Sequence, residues 1–407
     1  MTGLGAEIFL KKDKRKCVCF ISRGTPEHGL ESLIKREYFY YKYFAENFDH
    51  PIFLDVSKVF TSQALSKGDV DEAAHRLLPA KWTIIIPNSF ADFKNFLKSN
   101  AMIVISNFSE EWYDWYIHYY LKKYKIPLIY IHTMSENTDF QIQNLSKFKF
   151  RFLGKTFEIL KKAYFRLEEH LFCAKVDTLF ISNPQQAHLH RRSSRFNEIV
   201  LTNSRFYDSY LANSYPVTDN CIVFLDSMVP YHFDQARYGF PLTDRELYYF
   251  NLDRVFNVIE QKLSKKVVVC LHPKYNDENV KKDFGQRQTV KHRTQEFTAK
   301  AAVVLFHESS AVNHAVLYNK KVIQLIGSRF NDFINSNCKS IQRILGCPTL
   351  DMYEDTQEPI GHLLDTLKIN KEKYEIFLSN YIVRPGEEGV FSCRQIADHI
   401  KLKYMRG

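Results

Sequence analysis

The sequence predicts an α/β protein built as two Rossmann-type domains, each a parallel sheet covered by helices. Three observations carry that expectation. Short, continuous apolar runs recur along both halves of the chain. Segments with apolar residues at helical spacing separate them. The length, 407 residues, exceeds what one ordinary hydrophobic core holds.

The apolar runs come first. They are residues 17–22, 51–56, 83–86, 102–106, 127–132 and 178–182, then 221–226, 266–272, 303–306 and 322–326. Each is rich in Val, Ile, Leu or Phe at consecutive positions. A strand covered on both faces needs apolar residues on both, so continuous runs fit parallel sheets better than alternating ones do. Between them, residues 31–47, 112–124 and 244–263 carry apolar or aromatic residues at helical spacing. Strand–helix–strand alternation with right-handed crossovers yields one open sheet per half.

The junction is expected at residues 212–220, ANSYPVTDN, where turn formers replace apolar residues. The expected organisation is one Rossmann-like domain over 1–215, a second over 216–370, and a helical tail over 371–407 that packs back on the domains. Arg384-Pro385-Gly386 is expected to break that tail.

Composition narrows the class. With 45% hydrophobic and 25% charged residues, the chain reads as an ordinary soluble globular protein, not a disordered one. The net charge of +10 suits phosphate-bearing substrates, an anionic membrane or nucleic acid. No RNA-binding aromatic signature or zinc-finger spacing accompanies it, so nucleic acid is not the expected partner. The eight cysteines form no C-x-x-C pair and lie mostly in apolar stretches, which reads as buried free thiols in a reducing cytosol. The first residues lack a signal-peptide pattern, and no apolar run reaches membrane-spanning length. Residues 147–166 hold seven Lys/Arg against Glu158, interleaved with aromatics. That stretch reads either as a solvated basic helix face or as a peripheral contact with the inner face of an anionic membrane.

The chemistry-bearing residues sit where apolar runs end. In open α/β sheets, ligands bind at the carboxyl ends of the strands. His272-Pro273-Lys274 follows one run directly. Proline biases the histidine to extended backbone and ends regular structure there. The imidazole can then donate to a phosphate oxygen or protonate a leaving phosphate, with Lys274 adding positive charge. A second run ends in His307-Glu308-Ser309-Ser310, four residues expected to contact the substrate, and leads into a helix, which either serine is expected to cap. Helix-terminal amides and two hydroxyls would make an anion site. The interval between His272 and Ser309, about 37 residues, reads as one helical crossover plus a short hydrophilic stretch, residues 276–293, so the two are expected to lie near each other on one rim, flanking one phosphate. A third run ends in Asp226, with His232 and Asp234 following.

The pairing of His272-Pro273 with Ser309-Ser310 resembles the bacterial GT-B transferases that use CMP-activated sugars, namely the sialyltransferases, polysialyltransferases and Kdo transferases. The resemblance covers about residues 221–327. It implies a GT-B fold with an interdomain cleft, in which the domain over 1–215 binds the acceptor and the domain over 216–370 binds the nucleotide sugar. It also implies a CMP-activated ulosonic acid as donor, a glycan or glycolipid acceptor, and no required metal. His272 would contact and protonate the CMP phosphate, and Ser309 and Ser310 would hold it. Asp226 would orient a base or ribose hydroxyl, His232 would contact the donor, and His28 in the first loop would touch the acceptor. The Asp-Asp/Glu-Gly motif that carries the base in many sialyltransferases is missing. Glu110 and Glu111, after the run 102–106, are the nearest candidates, followed by Glu136 and Asp139. The missing motif leaves inversion or retention open.

Three alternatives stand beside that reading: a GT-B enzyme using a UDP- or GDP-sugar or a CDP-polyol, a non-catalytic binding protein of polysaccharide assembly, and a nucleic-acid binder. Asp69-Val70-Asp71 lies in a polar stretch, so a metal-dependent D-x-D transferase is less favoured.

Overall fold

Val18 and Phe20 pack on one side of a sheet, and Cys19 and Ile21 on the other, because side chains alternate along a strand. All four are buried. That two-sided burial is what the continuous apolar runs required, and it recurs through the chain. The computed structural model describes residues 17–22, 38–56, 59, 77–106, 115–132, 175–184, 196–232, 235, 239–354 and 357–405.

One compact unit comprises residues 1–134, 150–203 and 389–407. Its strands are β1 (Cys17–Ser22), β2 (Ile52–Asp55), β3 (Thr83–Ile85), β4 (Met102–Ser106), β5 (Leu128–His132), β6 (Val176–Ile181) and β7 (Phe196–Leu201). They form a seven-stranded sheet in the order β3-β2-β1-β4-β5-β6-β7, with every pair parallel. Its helices include α1 (Tyr38–Asn47), α2 (Phe90–Ser99) and α3 (Trp115–Lys123). Tyr41 and Phe44 of α1 pack with Phe20, Phe53 and Trp82 on one face. Phe93 and Leu97 of α2 join Ile117 and Leu121 of α3 on the other.

The second unit comprises 135–149 and 204–388. It contains α4 (Arg205–Ala212), β8 (Cys221–Leu225), α5 (Arg245–Leu263), β9 (Val267–Cys270), α6 (Val280–Phe284), β10 (Gln288–Val290), α7 (Thr294–Ala299), β11 (Ala301–Phe306), α8 (Val312–Leu317), β12 (Lys321–Ile326), α9 (Asp332–Leu345), β13 (Thr349–Asp351), α10 (Gln357–Thr366) and α11 (Lys371–Phe377). The sheet order is β10-β9-β8-β11-β12-β13, all parallel. Helix α5 shows how sequence sets packing. Asp244 caps it by accepting from Leu247 N–H, and Tyr248, Leu252, Val255, Phe256 and Ile259 form its buried stripe.

Two boundaries differ from the expectation. The chain passes to the second unit at Asn203/Ser204, not near 215. Ser204 caps α4, and Tyr207 of that helix packs with Val223 and Leu225. Beyond the last residue of α4, the turn-rich stretch 213–220 is a loop of the second unit, tied there by Thr218 N–H to Ala299 O and Lys320 Nζ to Thr218 O. The tail also divides. Residues through 388 belong to the second unit, with Phe377 and Tyr381 in its core, whereas α12 (Ser392–Ile400) belongs to the first. Gly386 and Gly389, both at positive φ, stand at that change. Among the described residues, no helix is long and apolar enough to cross a membrane.

Candidate functional site

In the second sheet, β8→β9→β10 runs toward one edge and β11→β12→β13 toward the other. The direction reverses between β8 and β11. Such a switch point opens a crevice at the carboxyl ends of the two strands. Asp226 and Ser227 follow β8 there, His272 stands beyond β9, and the turn 307–311 follows β11.

Strand order corrects one expectation. His272 and Ser309 are not on neighbouring strands, since β8 lies between β9 and β11. Two interstrand spacings separate their strands by about 10 Å. The reason is β10, which the sequence reading did not include. It draws the chain to the edge before α7 returns it to the far side of β8. A phosphate reached by both groups must therefore sit over the end of β8.

His272 is half-buried and held on three sides. Its N–H donates to Asp226 Oδ2 at 3.4 Å, its carbonyl accepts from Tyr275 N–H at 2.9 Å, and its ring Nδ1 accepts from Lys274 N–H at 3.2 Å. The last contact puts the proton of the neutral ring on Nε2. Nε2 is thus the donor, as phosphate contact requires. Pro273 is exposed and Lys274 half-buried.

Asp226 is turned inward. It is 3% exposed, and its other oxygen accepts from Met228 N–H at 2.9 Å. The carboxylate fixes the turns after β8 and β9, in place of the ligand-hydroxyl contact expected for it. Burial pushes its carboxyl up to about 6, against the two backbone N–H donors, and the nearby Asp283 carboxylate adds to the rise. The folded state therefore holds this proton where the unfolded chain has released it, between pH 4 and pH 6. Stability from this group is present below that window and is lost as pH rises through it. The interval from 3.8 to about 6 is worth about 3 kcal/mol. Wild type measured against Asp226→Asn, which cannot titrate, should lose about that much between pH 4 and pH 7 in denaturant titrations. A pH-independent difference would contradict the assignment.

His307 departs from the expected substrate contact. It is fully buried; Nδ1 meets Leu325 O at 2.7 Å and Nε2 meets the Tyr248 hydroxyl at 2.8 Å. Both nitrogens serve protein partners, so the ring braces β11 against β12 and α5. Burial lowers it to about 4, which keeps it neutral at pH 7. Glu308 is half-buried, and its Oε2 accepts from Asn337 of α9.

The serine pair is also placed differently. Helix α8 begins at Val312 with Ala311 as its cap, so neither serine caps it. Val312 and Asn313 N–H donate to the Ser309 and Ser310 carbonyls, and Ala311 N–H to Ser309 Oγ at 3.3 Å. The serines form a half-buried turn ahead of a short helix. His232 is half-buried, its ring 6.0 Å from that of Phe333. His28, Glu110, Glu111, Asp234, Glu136, Asp139 and residues 147–166 lie outside the described residues.

Two features escaped the sequence reading. Ser227 is buried beside Asp226, and its Oγ has no hydrogen-bond partner among the described residues. Its position directly beyond a buried strand was the available signal. Asp283 accepts from Tyr231, Tyr275 and Arg245. No sequence motif marks that convergence.

With the geometry described, solved structures give the fold its type. The chain is similar to a glycotransferase of kitacinnamycin (TM-score 0.53, 10% identity, 95% of this chain and 98% of that one). It is similar to the wall teichoic acid polymerase TagF (TM-score 0.52, 14% identity, 96% and 89%). It is also similar to a putative UDP-N-acetylglucosamine 2-epimerase from Listeria monocytogenes (TM-score 0.50, 13% identity, 96% of each chain). The fold is GT-B. At these identities the likeness speaks to the GT-B architecture alone, and the neighbours include both transferases and an epimerase. No family model and no curated protein matches the chain.

Proposed function

We propose that this protein is a glycosyltransferase whose nucleotide-activated donor lies over the carboxyl rim of the second sheet. The supporting observation is the set of three adjacent strands, β9-β8-β11, that ends in His272, Asp226–Ser227 and the Ser309–Ser310 turn around the switch point. His272 Nε2–H donates to the leaving phosphate, and the serine turn holds that phosphate through amides and a hydroxyl. The bond from the anomeric carbon to the phosphate oxygen breaks as the bond to the acceptor oxygen forms. The nucleotide departs with the electron pair, stabilised or protonated by His272. The acceptor's proton passes to a base, for which Glu110 and Glu111 stand as candidates. The proposed donor is a CMP-activated ulosonic acid and the acceptor a glycan or glycolipid, in the cytoplasm, with residues 147–166 as a peripheral membrane contact.

A second donor class is a nucleoside-diphosphate sugar. Lys274 beside His272 supplies a further positive charge for a diphosphate, and one structure of the same fold is described as a putative UDP-N-acetylglucosamine 2-epimerase. Thermal-shift titrations with CMP, CDP, UDP and GDP separate the two. The nucleotide of the true donor should stabilise the protein by about 2.7 kcal/mol at a hundred times its Kd. Stabilisation by UDP or GDP without CMP selects the second class, and no stabilisation by any of the four rejects both.

A further inference from the structure

Asp283 lies on α6, away from every motif that the sequence singled out, yet three donors from three different segments converge on it. Its side chain is 2% exposed. Oδ2 accepts from the Tyr231 hydroxyl at 2.8 Å and from the Tyr275 hydroxyl. Oδ1 accepts from the Arg245 guanidinium at the start of α5. Tyr249 extends the network, its hydroxyl 3.2 Å from that of Tyr275. A buried carboxylate needs such partners, because an unpaired one is costly to keep out of water.

The sources of the donors give the cluster its meaning. Tyr231 ends the turn that starts at Asp226. Tyr275 closes the turn that starts at His272, where its N–H meets the His272 carbonyl at 2.9 Å. Lys291 Nζ, just beyond β10, donates to the Tyr275 carbonyl at 2.9 Å. Tyr275 is therefore fixed at its hydroxyl, its N–H and its carbonyl. The residue before it, Lys274, supplies the N–H that sets the His272 tautomer. One carboxylate thus joins the loops after two neighbouring strands, β8 and β9, and those loops carry Asp226 and His272.

We propose that Asp283 is a positioning residue, which acts through Tyr275 and Tyr231 to lock the His272 ring in the Nε2–H tautomer and aim it over the end of β8. Its part in catalysis rests on the role of His272 at the donor phosphate; its effect on the ring does not.

The test uses the full chain and two independent readouts. The first is the ring 15N and 1H shifts of His272, assigned against His272→Gln, at a temperature where all variants are folded. Wild type should show unprotonated Nδ1 and protonated Nε2. Tyr275→Phe, Tyr231→Phe and Asp283→Asn should shift the ring toward mixed tautomers. The second readout is nucleotide release from the donor that the thermal-shift screen identifies. The same variants should lower kcat about 10- to 100-fold and move KM by less than about threefold, because the loss falls on alignment in the transition state. A merely structural cluster would lower Tm and leave the ring pattern and kcat unchanged; that outcome overturns the proposal. If Asp283→Asn does not fold, the two tyrosine variants carry the test. A wild type that turns over no nucleotide sugar, while the ring responds as stated, removes the transferase reading and leaves the positioning role standing.

Discussion

His272→Ala is expected to lower donor turnover about 100- to 10,000-fold, the range usual for a group that moves a proton or holds developing charge in the transition state. The protein should remain folded. The ring is half-buried and stands beyond β9, not inside a core. Its Nδ1 contact with Lys274 N–H at 3.2 Å is a link worth about 1 kcal/mol net. For a domain of this size that costs about 2–4 °C in Tm. Steady-state nucleotide release beside a thermal melt reads both quantities. Full turnover in the variant would end the proposed role of His272. The contrast with His307 sharpens the test. His307 is fully buried between Tyr248 and Leu325 O, so its replacement should cost stability first. Two histidines, beyond the ends of β9 and β11, thus divide into a half-buried residue at the sheet rim and a core brace. Burial separates them, and sequence alone does not.

The same distinction explains what was legible in the sequence. Strands covered on both faces announced themselves, because both faces had to be apolar: β1 and β4 fall at Cys17–Ser22 and Met102–Ser106, where the runs begin and end. The strands that escaped, β7, β10 and β13, are all sheet edges. Phe196–Leu201 is mostly half-buried and carries Asn197 and Glu198. Gln288–Val290 and Thr349–Asp351 are three residues each, with polar positions. An edge strand has one neighbour and partial cover, so it need not read as an apolar run. Missing β10 had a cost beyond one element. The interval from His272 to Ser309 looked like a single crossover, which made the two strand ends neighbours. The site residues were legible as residues beyond strand ends. Their separation by β8, the inward turn of Asp226 and the convergence on Asp283 depend on strand order and side-chain direction, which no local window contains.

Removing residues 389–407 should unfold the first unit, the largest stability effect expected anywhere in this chain. The segment is distant in sequence from the core that it completes. Cys393, Ile396, Ala397 and Ile400 of α12 are each at most 2% exposed and pack with Tyr40, Tyr41 and Phe44 of α1. Polar groups hold the register. The Tyr40 hydroxyl and Ser392 Oγ lie 2.6 Å apart, Asn203 N–H donates to Gln395 Oε1 at 2.7 Å, and Asn203 Nδ2 donates to Val390 O at 2.8 Å. Loss of the helix would bare one whole flank of the apolar layer that includes Phe20 and Trp82. Point variants grade the effect. Ile396→Ala and Ile400→Ala should each cost about 2–5 kcal/mol through lost transfer energy and the cavity left behind. Against a total of about 5–15 kcal/mol, the pair together leaves the unit marginal or unfolded, with some non-additivity because the sites share neighbours. Leu402→Ala, at a residue 57% exposed, is the control and should change little. Glu198→Gln removes a partly exposed ion pair with Lys403, worth about 0–1 kcal/mol. Tryptophan fluorescence reports the transition through Trp82, which is buried in the core that α12 joins. A truncated chain whose tryptophan signal melts with the wild type would show that α12 only rests on that surface. The zero exposure of Ile396 and Ile400 argues instead that α12 completes the core itself.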